Sequence, residues 1–249
     1  MPERPILDHL FIHPEDLNDE NFELTGEEFF HLSRVKRARR GEEVSWSDGA
    51  GRAGRAVIED INTGSLRLRI TDTKATEVVR PYLHLFQSLP KGGKMDDIVR
   101  RNVEIGVDAF FPVVSSRSQI RPAKDGHQDR LARWRKIARE ASRQCRRDFL
   151  PEVHEVTVWR DSLELARGCA VTLVAWEEER KRRVTEALPG ESPLTIAMFI
   201  GPEGGFEVVE IEELKEAGAL PVSLGDNILR TENAGLALAV LIKAHYGQL

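Results

Sequence analysis

Apolar and polar residues change their rhythm once along this chain. Up to about residue 72 the period is two. Glu43-Val44-Ser45-Trp46-Ser47 alternates and Asp48-Gly49 turns the chain; Gly54-Arg55-Ala56-Val57-Ile58 and Ser65-Leu66-Arg67-Leu68-Arg69-Ile70 follow, separated by Asn62-Thr63-Gly64. Alternation sends successive side chains to opposite faces, and Gly turns at this spacing predict a small antiparallel barrel. A short helix is expected over residues 26–36, with Phe29, Phe30, Leu32 and Val35 on one side.

From about Thr76 strands and helices alternate. Residues 82–89, 108–114, 171–176, 195–200 and 221–224 read as strands. Met95, Ile98, Val99, Val103 and Ile105 recur at near-helical spacing, and Leu131, Trp134, Ala138, Ala141 and Cys145 form one stripe of a long basic helix over 127–147. Asp161 with Glu164 fits an N-cap and its box partner. A further helix over 207–217 stops at Gly218, and Thr231 is placed to cap the last one. Such alternation implies an α/β fold with a mostly parallel sheet. The expected division is residues 1–74 and 75–249. In the last helix, Ala234, Leu236, Ala237, Leu238, Ala239, Val240, Leu241, Ile242 and Ala244 cover almost the whole circumference. That is the pattern of a helix buried on all sides, by the core of one subunit or by a second subunit.

Composition narrows the class. The chain has 249 residues, 41% of them hydrophobic, enough for a packed core. No apolar run reaches the ~20 residues that span a bilayer. The opening residues hold no apolar segment of the secretory kind. Cys145 and Cys169 make no disulfide framework and no CxxC pair. The expectation is a cytoplasmic protein with reduced thiols, no membrane and no metal. Net charge is −5, but it is segregated. Residues 34–55 hold seven basic and three acidic residues, 121–147 ten and three, and 203–216 one and six. Arg34, Lys36, Arg37, Arg39 and Arg40 form one basic cluster, Lys91 and Lys94 flank Gly92-Gly93, and Arg133, Arg139, Arg143, Arg146 and Arg147 stud the long helix. Each run alone fits a solvated face; together, in an acidic protein, they fit an RNA track. Trp46 and Phe29 fit stacking platforms or core.

Two segments carry chemistry. Gly201-Pro202-Glu203-Gly204-Gly205-Phe206 joins an apolar strand to an acidic helix. In open α/β sheets ligands bind outside the carboxyl ends of strands, and glycine admits them close to the backbone. The loop has no P-loop lysine, and Pro202 removes an amide donor, so a phosphate cradle fits poorly. A plain strand-to-helix turn is the other reading. In Leu224-Gly225-Asp226-Asn227-Ile228-Leu229-Arg230-Thr231-Glu232, Ile228 and Leu229 either wall an apolar ligand face or pack beneath the loop.

Together these segments resemble the ribosomal RNA small subunit methyltransferase E family, of the SPOUT class. Further matches run through the chain in order: His13-Pro14, His31-Leu32, Arg37, Gly41, Asp48-Gly49, Lys91-Gly92, Lys94-Met95-Asp96, Glu104-Ile105-Gly106-Val107, Pro112, Ser116-Arg117-Ser118, Gln144-Cys145, Arg147 and Pro151-Glu152. Lys36 stands where an apolar residue is usual and Asn233 where a threonine is common. The resemblance implies a PUA-like, RNA-binding barrel joined to a trefoil-knotted α/β methyltransferase domain, acting as a homodimer. It implies S-adenosylmethionine as cofactor and N3-methyluridine in 16S rRNA of the small ribosomal subunit as product. Three loops would hold the cofactor, through Trp176 and Glu177, through Gly201, Pro202, Glu203, Gly204 and Gly205, and through Leu224, Gly225, Ile228 and Leu229.

For the chemistry, Arg230 is the candidate cation and Glu232 the candidate base. Arg34, Arg37, Arg39, Arg40, Lys91 and Lys94 are the candidate RNA contacts. The competing functions are a noncatalytic RNA-binding protein, a SPOUT enzyme with another target nucleotide, and a dinucleotide oxidoreductase, for which the glycine fingerprint is missing.

Overall fold

The computed structural model describes residues 6–18, 20–118 and 127–249, in two units: one up to Val78 together with Ser142–Leu150, the other Val79–Ala141 and Pro151–Leu249. The division differs from the expected one because residues 142–150 belong with the first unit. Arg121 and Lys124 of the basic run lie outside the described residues.

In the first unit, β1 (His9–Phe11), β2 (Asn21–Leu24), β3 (Glu43–Ser47), β4 (Arg52–Ile61) and β5 (Leu66–Ala75) form one sheet in the order β1-β3-β4-β5-β2. The three alternating segments are β3, β4 and β5. The short strands β1 and β2 carry too few residues to show a period, and β1 pairs parallel to β3 instead of antiparallel. Register shifts at Arg55/Ala56 and Ile58/Asp60 interrupt the β4–β5 ladder; such bulges bend a hairpin and sharpen its twist. The inward residues Leu10, Phe22, Val44, Trp46, Ile58, Leu66 and Leu68 make one core. Burying each large side chain contributes about 1.5–3 kcal/mol. Trp46 is fully buried and donates its indole N–H to the Arg55 carbonyl, so it is core and not a stacking platform.

The helix expected over 26–36 is α1 (Gly26–Phe30) followed by a π-helical turn, His31–Val35. Its i→i+5 bond from the Lys36 N–H to the His31 carbonyl widens the turn. Positions three apart then no longer align. Leu32 is buried, whereas Phe30 and Val35, expected on the same face, are 60% and 61% exposed.

In the second unit, β6 (Tyr82–Ser88), β7 (Ala109–Val114), β8 (Glu152–Val153), β9 (Thr157–Val158), β10 (Val171–Ala175), β11 (Thr195–Ile200) and β12 (Leu220–Val222) form a parallel sheet, ordered β12-β10-β11-β6-β7-β8 with β9 on β7. Ile196 through Ile200 are all buried, as befits a strand covered on both faces. The helices are α2 (Lys94–Ile105), α3 (His127–Cys145), α4 (Trp159–Ala166), α5 (Val184–Ala187), α6 (Val208–Glu216) and α7 (Thr231–His245). Helix α4 begins two residues before the expected cap: Val158 precedes it and Asp161 lies inside its first turn. Parallel pairing puts the carboxyl ends of β6, β10, β11 and β12 on one edge of the sheet, where their loops meet.

Helix α7 is not buried all round within the chain. Leu238, Ala239 and Ile242 are core, but Leu241 is 37% exposed and Ala244 is exposed. Thr231 is its first residue and not its cap, which is Arg230. The Thr231 hydroxyl donates to the Gly201 carbonyl at 2.6 Å and accepts from the buried Gln87 Nε2 at 2.9 Å. The start of α7, the end of β6 and the loop after β11 are thereby tied together.

Candidate functional site

The loop after β11 turns because Gly205 adopts φ +68°, its N–H donating to the Pro202 carbonyl at 3.0 Å. A side chain there would strain the backbone, and its Cβ would lie 2.3 Å from Glu177 Oε1. Gly201 is packed against Gly205 itself, since its Cβ would meet that residue's carbonyl carbon at 3.1 Å. Gly204 has more room: its Cβ would meet only the Arg117 side chain, at 3.3 Å.

The loop is braced from three sides. Arg117 Nη1 donates to the Gly204 carbonyl at 2.6 Å. Glu210, buried in the first turn of α6, accepts the Glu207 and Ser116 N–H groups, each at 2.8 Å. Glu203 accepts the Lys91 N–H at 3.2 Å and pairs with Lys94 Nζ at 2.9 Å. Gln87 and Glu210 are absent from the sequence-based site residues, and Arg117 enters only through Ser116-Arg117-Ser118, without a role. The Glu207–Glu210 spacing is a capping-box signal that would have found Glu210, while Gln87 and Arg117 leave no local pattern.

Around these residues opens a cleft of about 430 Å³, lined by Lys94, Ala175, Glu177, Ile200–Phe206, Ile228–Thr231 and Ala234. That volume falls in the range of ~300–1,000 Å³ usual for ligand sites. A smaller cavity of about 80 Å³ adjoins it, sharing Glu177, Ile228 and Leu229 and adding Trp176, Leu224 and Gly225. Every one of the expected cofactor residues, from three separate loops, thus lines one of these two cavities. Gly225 makes the third loop's turn at φ +116°. Ile228, at 75% exposure, is a free apolar wall at the mouth, so packing beneath the loop is not its role. Trp176 is half-buried on the core, with Lys215 Nζ 5.3 Å from its ring centre. The Glu178–Lys181 segment caps itself: the Glu179 carboxylate accepts the Arg182 and Lys181 N–H groups, which hold its pKa below the ordinary value.

Charges gather on one wall. Lys94 Nζ lies 2.9 Å from Glu203 and 3.4 Å from Glu232, whose other oxygen is 4.0 Å from Arg230. Burial works against the Glu203 charge, but the hydrogen bonds from Lys94 and from its own and the Lys91 amides win, and its pKa is lowered. The Glu203 hydrogen bond, opposed by slight desolvation and aided by Glu232, raises that of Lys94. Lys94 therefore sits in the cleft, paired to carboxylates, rather than free on a basic surface. Arg230 stands at the mouth with its side chain 81% exposed. Arg34, Arg37, Arg39 and Arg40 are exposed on the first unit and make no ion pair among the described residues. Among the described residues no cluster of three His, Cys, Asp or Glu side chains is placed to hold a metal, and no helix is long and apolar enough to cross a membrane.

Known proteins resemble this chain in sequence and fold. Residues 79–243 match the RNA methyltransferase domain family and residues 24–71 the RNA methyltransferase PUA domain family. Ribosomal RNA small subunit methyltransferase E of Mycobacterium tuberculosis is 34% identical over 214 residues, 84% of this chain and 80% of that protein. The crystal structure of the enzyme of that name from Neisseria gonorrhoeae, bound to S-adenosylmethionine, superposes with a TM-score of 0.84 at 29% identity, covering 95% of this chain and 97% of that one. A methyltransferase from Legionella pneumophila, in complex with the same cofactor, does so with 0.84 at 27% identity, covering 95% and 96%. With a parallel sheet whose loops close on a glycine-lined cleft, and with these matches over most of its length, the chain belongs to the ribosomal RNA small subunit methyltransferase E family.

Proposed function

We propose that this chain methylates N3 of a uridine in 16S rRNA of the small ribosomal subunit, with S-adenosylmethionine as methyl donor. The observation that carries the reading is the cleft: three loops of the expected composition converge on it, and its glycines keep the loop backbone folded tightly against Glu177, Arg117 and itself where a Cβ would clash. The residues fit the cofactor. It has no phosphate, and the loop has no P-loop lysine. Its adenine needs flat apolar walls and backbone partners, which Ile228, Leu229 and the neighbouring amides supply. Glu177, reaching Gly205, offers a carboxylate to hydroxyl or ammonium groups. When bound, the cofactor supplies an electrophilic methyl group on a sulfonium.

The protein's work is alignment and charge. Holding two reactants in line converts a bimolecular step into an effectively unimolecular one, worth up to ~7–11 kcal/mol. N3 must shed its proton, and the charge left on uracil spreads to O2 and O4, so a cation in the cleft lowers the barrier. Glu232, 3.4 Å from Lys94 of the cleft wall, is the candidate to receive the proton. Arg230, mostly exposed at the mouth, is placed to meet RNA. Arg34, Arg37, Arg39, Arg40 and Lys91 supply phosphate contacts, which position the RNA without choosing the base. Leu241 and Ala244, exposed on α7, fit a homodimer interface, and an enzyme acting on small-subunit rRNA would work in the cytoplasm.

The test is incubation of undermethylated small subunits with protein and labelled cofactor, followed by nucleoside analysis. Labelled 3-methyluridine is expected. Label in another nucleoside changes the target; no label with bound cofactor leaves the noncatalytic RNA-binding reading.

A further inference from the structure

The best-held cation of the cleft is not the one the sequence nominated. We propose that Lys94 is the catalytic cation of the transfer, its ammonium donating to the uracil oxygen beside N3 and holding the charge that develops there. The proposal rests on the uridine N3 reading above.

Three observations support it. Lys94 and Arg230 both line the cleft of the glycine loop, but the Arg230 side chain is 81% exposed against 37% for Lys94. Next, Lys94 is fixed from two elements, by Glu203 of the loop after β11 at 2.9 Å and by Glu232 of α7 at 3.4 Å. An ammonium has three N–H donors; with both carboxylates as ion-pair partners, at least one donor is left for a ligand. Finally, its charge is secured. The groups that face it are Glu203, Glu232, then Arg230 beyond Glu232, and Glu177 across the cleft. The Glu203 hydrogen bond first, and Glu232 after it, raise the Lys94 pKa above its ordinary value. A lysine held charged cannot take the N3 proton, which is why its use is electrostatic.

The balance closes. N3–H gives its proton to Glu232, and its electron pair stays on the ring, shared with O2 and O4. Lys94 remains an ammonium throughout. When the pair forms the bond to the methyl carbon, the methyl–sulfur bond breaks and its electrons stay on sulfur, so a neutral thioether would leave; the ring charge disappears and Glu232 releases its proton to solvent. Preorganised donors of this kind are worth on the order of 10²–10³ in rate.

The experiment compares the parent with Lys94→Gln and Lys94→Arg on undermethylated small subunits, in single turnover at saturating cofactor and RNA, from neutral to alkaline pH. Calorimetry with cofactor, and RNA binding, are measured beside it. Lys94→Gln should lose on the order of a hundredfold or more in saturated rate while binding cofactor within a few-fold of the parent. Its rate should still climb with pH where the parent's has levelled, because N3 must then ionise unaided. Lys94→Arg should recover part of the rate, keeping the charge but not the compact geometry. A Lys94→Gln rate within a few-fold of the parent overturns the proposal. So does a loss that follows cofactor affinity with an unchanged pH profile, which is the mark of a prop, and so does weakened RNA binding with a full saturated rate, which is the mark of a phosphate contact. If Lys94→Gln does not fold, Lys94→Arg decides alone: a lowered saturated rate at intact cofactor affinity supports the proposal, and a parent-like rate or lost affinity overturns it. Failure of the uridine reading looks different, since the parent itself would then make no 3-methyluridine, and the Lys94 proposal falls with it.

Discussion

The side chains of Arg34, Arg37, Arg39 and Arg40 stand exposed on the first unit without an ion pair among the described residues, whereas Lys94 of the second is paired with two carboxylates. The same formal charge is used in opposite ways. An unpaired surface arginine keeps its field for a polyanion and gives up little on binding beyond counterions and side-chain freedom. A lysine held between Glu203 and Glu232 has lost its freedom in advance and offers one geometry. Backbone follows the same division. Arg37 sits at φ +54°, a strained conformation for a residue with a Cβ, directly after the π turn. In the cleft the positive φ angles fall on Gly205 and Gly225, where they cost least.

The largest effect is expected at Gly205. Gly205→Val adds a Cβ that would sit 2.3 Å from Glu177 Oε1, at a φ that branched residues avoid. Cofactor binding should fall beyond detection in calorimetry while far-ultraviolet circular dichroism stays native. Gly204→Val, with only the Arg117 side chain to displace, should lose less; equal losses would mean that the close approach to Glu177 is not what the loop protects.

Arg37→Ala with Arg40→Ala probes the other side. If both touch phosphate, RNA affinity should drop by about tenfold or more, and the slope of log affinity against log salt should shrink by roughly 1.4–1.8. Cofactor affinity should not move. A double variant with the parent's salt slope would put the RNA track elsewhere.

The smallest effect is on stability and pH. His9 in the first unit is buried, its ring nitrogens bonded to the Ser45 hydroxyl and the Arg147 carbonyl. Desolvation lowers its pKa, outweighing Asp148 and the Arg147 carbonyl. The unfolded chain therefore binds the proton more readily, so stability is full above the ordinary histidine value of about 6.5 and declines as pH falls below it. His84 and His154 in the second unit share that direction, again mainly through burial. Thermal melts from neutral to mildly acidic pH should show the decline, and His9→Gln should flatten part of it. An unchanged slope in His9→Gln would assign the acid sensitivity to the second unit.

Legibility also differed between the two units. Strands β3, β4 and β5 were plain because alternation over five or more residues is a local signal, and Gly turns mark its ends. Strands β1 and β2, at three and four residues, are too short to carry a period, and their pairing is decided by the core they complete. The π turn at His31–Val35 was hidden because its hydrogen bonds, not its residue types, set its width.

Legible along the chain were the order of the longer strands and helices in the second unit, though not β8, β9 or α5, together with the three glycine- and apolar-rich loops and the segregation of charge, because each rests on neighbouring residues. Tertiary structure alone decided which charges meet. Lys94, Glu203 and Glu232 are far apart in sequence, and only a parallel sheet with its carboxyl ends on one edge brings them within 2.9 and 3.4 Å. The same geometry turned Thr231 from a helix cap into a buried link to Gly201, and left Arg230 in solvent. Pairing distances between remote side chains follow from packing, and no local pattern encodes them.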